Sequence, residues 1–449
     1  MTGKRKRKLA MPDTLIIVAS VVLLVAILSW IIPSGTYDYQ EMNINGRIRN
    51  VAIDGTYHTI DKSEVTTTGF LGFFSVLYRG CVEAADVIFM ILCCCGTFGV
   101  VVKTGAFHAG IGTILKKLKG KEILLVPIIM MIFGLGGSVF GMASEFYGFY
   151  PLIVGLGVAL GYDAMFGFAI IAVGEFVGFM GATLNPYSVG IAQTISGVEL
   201  YSGTGYRAIC FVIFMAISII YVMVYGRKIK KNPGASVVFG EKNIHAFDRD
   251  ELNEYSFTLK DGLVLLDVLV VLVVLMLGLI KWGWDFPQLC GLFLLMSMIA
   301  AAICKWSPNK WCSEFIDSAK TAMWGCILTG IAKAITVVMQ DAQIMDTVIY
   351  GLSNVLKNAP HAVSAQVMLV VQTLINFFIP SATGQASATM PIMAQLADII
   401  GVSRQTAVLA FQFGDGLSNI FWPTADIVII CGLVEFPCRN GISGLHRCF

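Results

Sequence analysis

PLIVGLGVALG at residues 151–161, followed by FAIIAVGE at 168–175, returns later in the chain as PIMAQLADIIG at 391–401, followed by AVLAFQFGD at 407–415. Pro151 and Pro391, Gly161 and Gly401, and Gly174 and Gly414 keep one offset of 240 residues, and acidic Glu175 falls opposite acidic Asp415. Ser144 and Glu145 fall opposite Gly384 and Gln385. Two Pro-Gly-Gly-acid strings with the same spacing indicate an internal repeat. Beyond each string a Pro-containing polar run interrupts an apolar helix, TLNP at 183–186 and SNIFWPT at 418–424.

Ahead of each string lies an apolar region of the wrong length. Residues 122–160 and 364–400 are too long for a single crossing, which takes about 20 residues of helix. Each is interrupted midway, by GGSVFGMASE at 136–145 and PSATGQAS at 380–387. Lipid cannot hydrogen-bond a non-helical backbone, so such breaks persist at membrane depth only against protein or a water-filled cavity. Each region is expected to be two half-length helices meeting at a tip inside the membrane, a re-entrant hairpin. Two closely spaced full helices with an external loop are the plainer alternative.

The remainder fits a membrane protein, since 56% of the 449 residues are hydrophobic and only 13% charged. Full crossings are expected at 14–32, 80–102, 164–184, 206–226, 261–282, 287–304, 318–340 and 405–430. The first follows the basic run KRKRK at 4–8, which places the N-terminus in the cytoplasm. It is longer than the ~7–15-residue core of a signal peptide and is expected to stay attached. Counting directions from there, Lys116, Lys117, Lys119 and Lys121, then Arg227, Lys228, Lys230 and Lys231, then Lys305 and Lys310 collect at cytoplasmic ends. Residues 33–68, polar with patchy alternation, fall outside.

By this count the two copies enter the membrane from opposite sides. The expected fold is an all-α polytopic membrane protein, an inverted-repeat transporter with two re-entrant helix hairpins and interrupted helices. Its first repeat is 1–231, with scaffold helix 14–32, hairpin 122–160 and broken helix 164–197. A cytoplasmic linker, 232–260, leads to the second repeat at 261–436, with hairpin 364–400 and broken helix 405–430, and then to a tail at 437–449. Inverted repeats with interrupted helices at matching positions point to a transport site near the bilayer midplane.

A broken helix exposes free N–H groups on one half and free C=O groups on the other, ends suited to anions and cations respectively. Ser138, Ser144, Thr183 and Asn185 in the first half, and Ser381, Thr383, Gln385, Ser418, Asn419 and Thr424 in the second, are candidate substrate- and ion-binding groups. Such side chains also bond neighbouring helices or cap half-helices. Unpaired carboxylates inside a membrane are costly, so Glu145, Glu175 and Asp415 are candidates to bind a cation, hold an amino group or carry a proton. Lys333 is a charge partner for one of them or for a substrate carboxylate. Asp86 and Asp267 lie nearer helix ends, where they face water. The spacing of Gly174 and Gly178 suggests tight helix packing.

The formal charge of +2 comes from short basic clusters at the ends of apolar segments, which is no nucleic-acid face. Twelve cysteines lie mostly in apolar stretches without CxxC pairs and read as small hydrophobes. No Ser-His-Asp or HExxH arrangement is present, so no catalytic residue, metal centre or organic cofactor is expected. Na+ at the hairpin tips or H+ is the expected coupling ion. The expected partners are a small-molecule substrate and the lipid bilayer, with no nucleic acid and a homodimer as the assembly to test.

MPDT at 11–14, WIIPSGTYD at 30–38, GATLNPYSVGIAQ at 181–193, and IPSATGQASATMPIMAQLAD followed by RQTAVLAFQFGDGLSN within 379–419 resemble the YfcC-like family of basic amino-acid antiporters. That family is related to the C4-dicarboxylate carriers of the ion-transporter superfamily. The resemblance implies inverted repeats, two hairpins, and a scaffold past which a transport part moves as an elevator. It also implies ions and substrate at hairpin tips and helix breaks, matching Ser144, Thr183, Asn185, Ser381, Thr383 and Asn419. The expected function is secondary active transport of an amino acid or carboxylate across the bacterial cytoplasmic membrane. An ion channel on a similar scaffold is the rival.

One stretch departs from the family. Beyond Ile430 the family continues into another crossing, whereas residues 437–449 read PCRNGISGLHRCF. Codons permitted by that stretch, read two nucleotides out of frame, can spell Met-Gln-Lys-Trp-Tyr-Lys-Trp-Phe-Thr-Pro-Leu-Phe, similar to the family's basic-aromatic turn. The tail is therefore expected to be frameshifted, removing the partner of span 206–226. A gene sequence with no in-family reading after codon 436 would end that idea.

Overall fold

The computed structural model describes residues 14–44, 47–118, 122–239, 257–357 and 363–434. The tail, and with it the expected frameshift, lies outside them, as do Lys119, Lys121 and residues 240–256 of the linker. Helices dominate: α1 (Thr14–Ile31), α2 (Phe70–Glu83), α3 (Ala85–Lys103), α4 (Ala106–Leu118), α5 (Leu125–Leu135), α6 (Tyr150–Ala159), α7 (Ala164–Met180), α8 (Val189–Ile195) and α9 (Thr204–Lys231) precede the linker. After it come α10 (Leu259–Lys281), α11 (Phe286–Ile303), α12 (Pro308–Lys320), α13 (Met323–Asp341), α14 (Met345–Lys357), α15 (Ser364–Phe378), α16 (Ala382–Ile399), α17 (Arg404–Ser418) and α18 (Asp426–Leu433). Among them α3, α9, α10, α11 and α13 are long and apolar enough to cross a bilayer.

Several boundaries differ from the expectation. The crossing at 80–102 is two helices, α2 and α3, meeting at Ala84 (φ −94°, ψ 6°). That at 318–340 begins only at Met323, because the Ser307 hydroxyl accepts Lys310 N–H (3.2 Å) and opens a separate helix, α12. The helices of 164–197 and 405–430, by contrast, are interrupted around 183–186 and 418–424 as expected, stopping at Met180 and Ser418 and resuming as α8 and α18. The amphipathic α2, α4, α12 and α14 were not expected as helices of their own. Polar and charged residues interleaved among their apolar ones lower the mean hydropathy below that of a crossing.

Close backbone contact organises the bundle. α2 lies on α13 and, reciprocally, α12 lies on α3. A Cβ on Gly80 would stand 2.7 Å from Ala334 N, and one on Gly330 would stand 2.9 Å from Cys81 Cα. α5 and α6 both lie on α7, just as α15 and α16 both lie on α17. The anticipated tight packing at Gly174 and Gly178 is present: their Cβ positions fall 2.9 Å from Met130 O and 2.6 Å from Gly134 Cα on α5.

The turns into α7 and α17 explain why the sequence keeps Gly161 and Gly401 in step. Both residues are left-handed, with φ of 79° and 72°, where a side chain is strained. Each turn closes with the same helix-terminating bond, Tyr162 N–H to Gly157 O (3.1 Å) and Val402 N–H to Ala397 O (2.9 Å). Asp163 then caps Phe166 N–H (2.8 Å) and Ser403 caps Thr406 N–H (3.1 Å), starting the next helices.

The polar segment after α1 forms two antiparallel ribbons, β1 (Ser34–Thr36) with β4 (His58–Ile60), and β2 (Tyr39–Ile44) with β3 (Arg47–Ala52). Asp346 at the start of α14 anchors them. It accepts from Tyr37 N–H (3.0 Å), Thr36 Oγ1 (3.2 Å) and the Tyr39 hydroxyl (2.8 Å). Burial and this carboxylate hold the Tyr39 phenol above its ordinary range. Each charged hydrogen bond contributes about 1.5–3 kcal/mol, so Asp346→Ala should lower the detergent-solubilised Tm more than Asp346→Asn, which keeps one acceptor. Equal Tm values for both variants and the parent would contradict the anchoring role.

Candidate functional site

The first helix pair is interrupted as expected at 136–145. Gly136–Phe140 widen into a π turn, Gly141 is left-handed (φ 69°), and Ser144–Phe149 tighten into a 3-10 turn. Phe133 and Phe146 meet edge to face, 4.8 Å between centroids, which ties the two arms together. Pro186 cannot donate within the following break, and the Asn185 Oδ1 replaces the lost turn by accepting from Tyr187 N–H (2.9 Å) and Ser188 N–H (3.2 Å). Thr183 N–H donates to Ser138 O (2.8 Å), docking this break on the π turn that follows α5.

The second interruption is shorter than expected. Only 379–381 are non-helical, because the Ser381 hydroxyl accepts Gly384 N–H (3.3 Å) and opens α16. Thr383 and Gln385 are therefore helical. Thr383 donates to Tyr187 O (2.8 Å), tying α16 to the first break, and Gln385 donates to Gln372 O (2.9 Å), joining α16 to α15. Ser418 turns back to Gly414 O (2.6 Å). Thr424 Oγ1 donates to Phe377 O (2.8 Å), so the second break docks on the end of α15.

A cavity of about 320 Å³ opens between these features. The α5–α6 connection contributes Ser144 and Tyr147, α7 contributes Glu175, and the α15–α16 connection contributes Pro380 and Ser381. Asp415, Asn419, Thr424 and Asp426 come from α17, the second break and α18. Thr329 and Lys333 come from α13 and Glu83 from the end of α2.

Of the expected residues, Ser144, Glu175, Ser381, Asp415, Asn419, Thr424 and Lys333 line this space. Glu145, Thr183, Asn185, Thr383, Gln385 and Ser418 do not; they hold the frame. Glu145 Oε2 accepts from Ala143 N–H (3.0 Å) and so staples its own connection.

Glu83, Tyr147, Thr329 and Asp426 were missed. The rule that flagged Asp415 also applies to Asp426, which follows the second break in an apolar run. Two side chains behind the wall were missed as well. Tyr150 donates to Glu175 Oε2 (2.7 Å). The Asn376 amide fits best with Nδ2 donating to Gln385 Oε1 (3.0 Å), Ile379 O (3.1 Å) and Asp415 Oδ1 (3.2 Å).

Glu175 Oε1 and Asp415 Oδ2 are buried without a protein partner among the described residues. Four carboxyls thus face one ammonium, Lys333, which has no carboxylate within 4.0 Å among the described residues.

Arg207, 1% exposed, is a buried cation outside the cavity. It sits in the first turn of α9, where the helix dipole opposes a cation, and donates to Thr183 O and Thr204 Oγ1, each at 3.2 Å. It has no carboxylate partner among the described residues, so its desolvation is not offset by an ion pair, a cost that an apolar side chain of similar length does not carry. Arg207→Met should therefore keep or raise Tm while lowering uptake, because the break loses a tether. A fall in Tm with unchanged uptake would make Arg207 purely structural.

The family model for the C4-dicarboxylate anaerobic carriers, DcuC, matches residues 11–438. The chain belongs to this carrier family. The carrier is 33% identical to the Escherichia coli K12 protein named "Putative basic amino acid antiporter YfcC", over 98% of this chain and 94% of the relative. It is 27% identical to an uncharacterized protein of Haemophilus influenzae, over 97% and 93% of the two chains. Among solved structures, the YdaH transporter of Alcanivorax borkumensis is similar over 97% of this chain and 94% of its own, at 15% identity and a TM-score of 0.43. MtrF of Neisseria gonorrhoeae, described as one of a class of antimetabolite efflux pumps, is similar over 98% and 92%, at 16% identity and a TM-score of 0.44. The family and its apolar helices make the carrier a membrane transporter.

Proposed function

We propose that this carrier is a secondary active transporter that exchanges a small amino acid or carboxylate by moving α5–α8 and α15–α18 as an elevator past a scaffold that includes α1–α3 and α10–α13. The cavity carries this reading, because both interrupted helix pairs and the second break of helix converge on it beside Glu175 and Asp415, each with one oxygen lacking a protein partner among the described residues. An inverted repeat is supported by helix starts at Phe70, Ala85, Ala106, Leu125 and Ala164, answered 238 to 240 residues later by starts at Pro308, Met323, Met345, Ser364 and Arg404. Thr183 on Ser138 O and Thr424 on Phe377 O are matching contacts. The reciprocal packing of α2 on α13 and α12 on α3 suits a two-fold relation between the halves.

On this reading the connections at 141–143 and 379–381 are tips of re-entrant hairpins, and the cavity is the midplane site. The Lys and Arg clusters at the ends of α9 and α11 favour a cytoplasmic N-terminus in the bacterial cytoplasmic membrane. Four carboxyls suit a cationic cargo group or a coupling Na+ or H+, and Lys333 suits a carboxylate. The relative's name makes a basic amino acid the first cargo to try.

In proteoliposomes loaded with unlabelled L-arginine, external labelled L-arginine should accumulate transiently by saturable counterflow. L-Ornithine and succinate form the comparison set, each with and without Na+. Absence of counterflow with all three, or single-channel currents in a planar bilayer, would reject the carrier reading in favour of a pore.

A further inference from the structure

We propose that Glu83 and Lys333 are a fixed, face-specific half of the binding site, touching cargo in the captured orientation and losing it when the site moves. The proposal rests on the elevator reading above. Glu83 lies on α2 and Lys333 on α13, helices whose backbones meet at Gly80 and Gly330. Each charge stands three residues beyond its glycine. Main chain faces main chain there, so the two side chains are presented by one rigid unit.

The other charged groups lining the cavity, Glu175, Asp415 and Asp426, stand on α7, α17 and α18. α7 and α17 are joined in turn: Gln412 Nε2 donates to Phe179 O (2.7 Å), and a Cβ on Gly416 would stand 2.8 Å from Met180 Cβ. The wall is therefore divided by body. Its one cation belongs to the α2–α13 unit, whereas Glu175 and Asp415 belong to the unit built on α7 and α17, and Asp426 stands between them on α18, which packs on α13.

An amine- and carboxylate-bearing cargo spans the two. Its amine meets Glu175 or Asp415 and travels with them. Its carboxylate meets Lys333, which stays behind, while Glu83 offers a fixed carboxylate to a cationic tail. Once displacement exceeds the screening length of about 8–10 Å in a water-lined path, that attraction is largely gone. Affinity should consequently depend on Glu83 and Lys333 from one face of the membrane only.

The test uses the full chain in proteoliposomes of defined orientation, with whichever of L-arginine, L-ornithine or succinate the parent exchanges. Lys333→Gln should raise the half-saturation concentration about tenfold from one face, the loss expected for one charged hydrogen bond, and less than about twofold from the other. Lys333→Arg should restore most of it, and Glu83→Gln should alter it from that same face. Equal changes from both faces, or none from either, overturn the proposal while parental counterflow leaves the transporter reading standing. Absence of counterflow in the parent removes both. If Lys333→Gln fails to accumulate, Glu83→Gln still supplies the two-face comparison.

Discussion

Gly178→Leu is expected to abolish accumulation of folded protein. The Cβ position at 178 lies 2.6 Å from Gly134 Cα, with the Gly134 carbonyl on the same side, so main chain alone must give way. Ordinary overpacking costs about 1–3 kcal/mol when side chains can rearrange; here α5 would have to leave α7 along its length. Because the Thr183 bond to Ser138 and the Asn185 loop are registered on that helix pair, the first break would go with it. Gly178→Ala should already reduce the monodisperse peak of a detergent extract. Gly205→Ala, where nothing lies within 4 Å of the added carbon, should leave that peak unchanged or larger, since Ala is a better helix former by about 1 kcal/mol. A parental peak from Gly178→Leu would mean that α5 and α7 are not held together by backbone contact.

Asp415→Asn should abolish uptake while sparing the fold. The substitution preserves shape and the Asn376 bond to Oδ1, but removes the charge and changes the chemistry of Oδ2, the oxygen left without a protein partner. Asn185→Ala should also abolish uptake, for a different reason. It strips the acceptor from two amides, Tyr187 N–H and Ser188 N–H, at about 1–3 kcal/mol for each one left unsatisfied. The two variants are separated by Tm: unchanged for Asp415→Asn, lowered for Asn185→Ala. Parental uptake in both would remove the site from this cavity.

The contrast shows what one sequence can carry. Gly161 and Gly401, and Gly174 and Gly414, were readable because each answers a constraint that admits few residue types: a left-handed turn, or a helix contact without room for a side chain. The roles of Thr183, Asn185 and Thr383 were not, since a hydroxyl or amide beside a helix break can face cargo or its own backbone, and only geometry decides. The second interruption looked too long because PSATGQAS contains its own helix cap, Ser381, whose effect depends on a single hydrogen bond. Glu83 escaped notice because its importance arises from α2 meeting α13, a contact between distant parts of the chain. The short amphipathic helices were hidden because their polar and charged residues interrupt the apolar runs by which a crossing is recognised.

Solvent access at the two helix connections tests the central claim most directly. In a chain with its native cysteines replaced, single Ser144→Cys and Ser381→Cys variants would be labelled with a small, membrane-impermeant thiol reagent, with and without the exchanged substrate. Labelling at both positions that slows when substrate is present is the predicted result, because both connections would border one water-filled, cargo-holding cavity. Labelling as fast as on an exposed loop and indifferent to substrate, at either position, would contradict it.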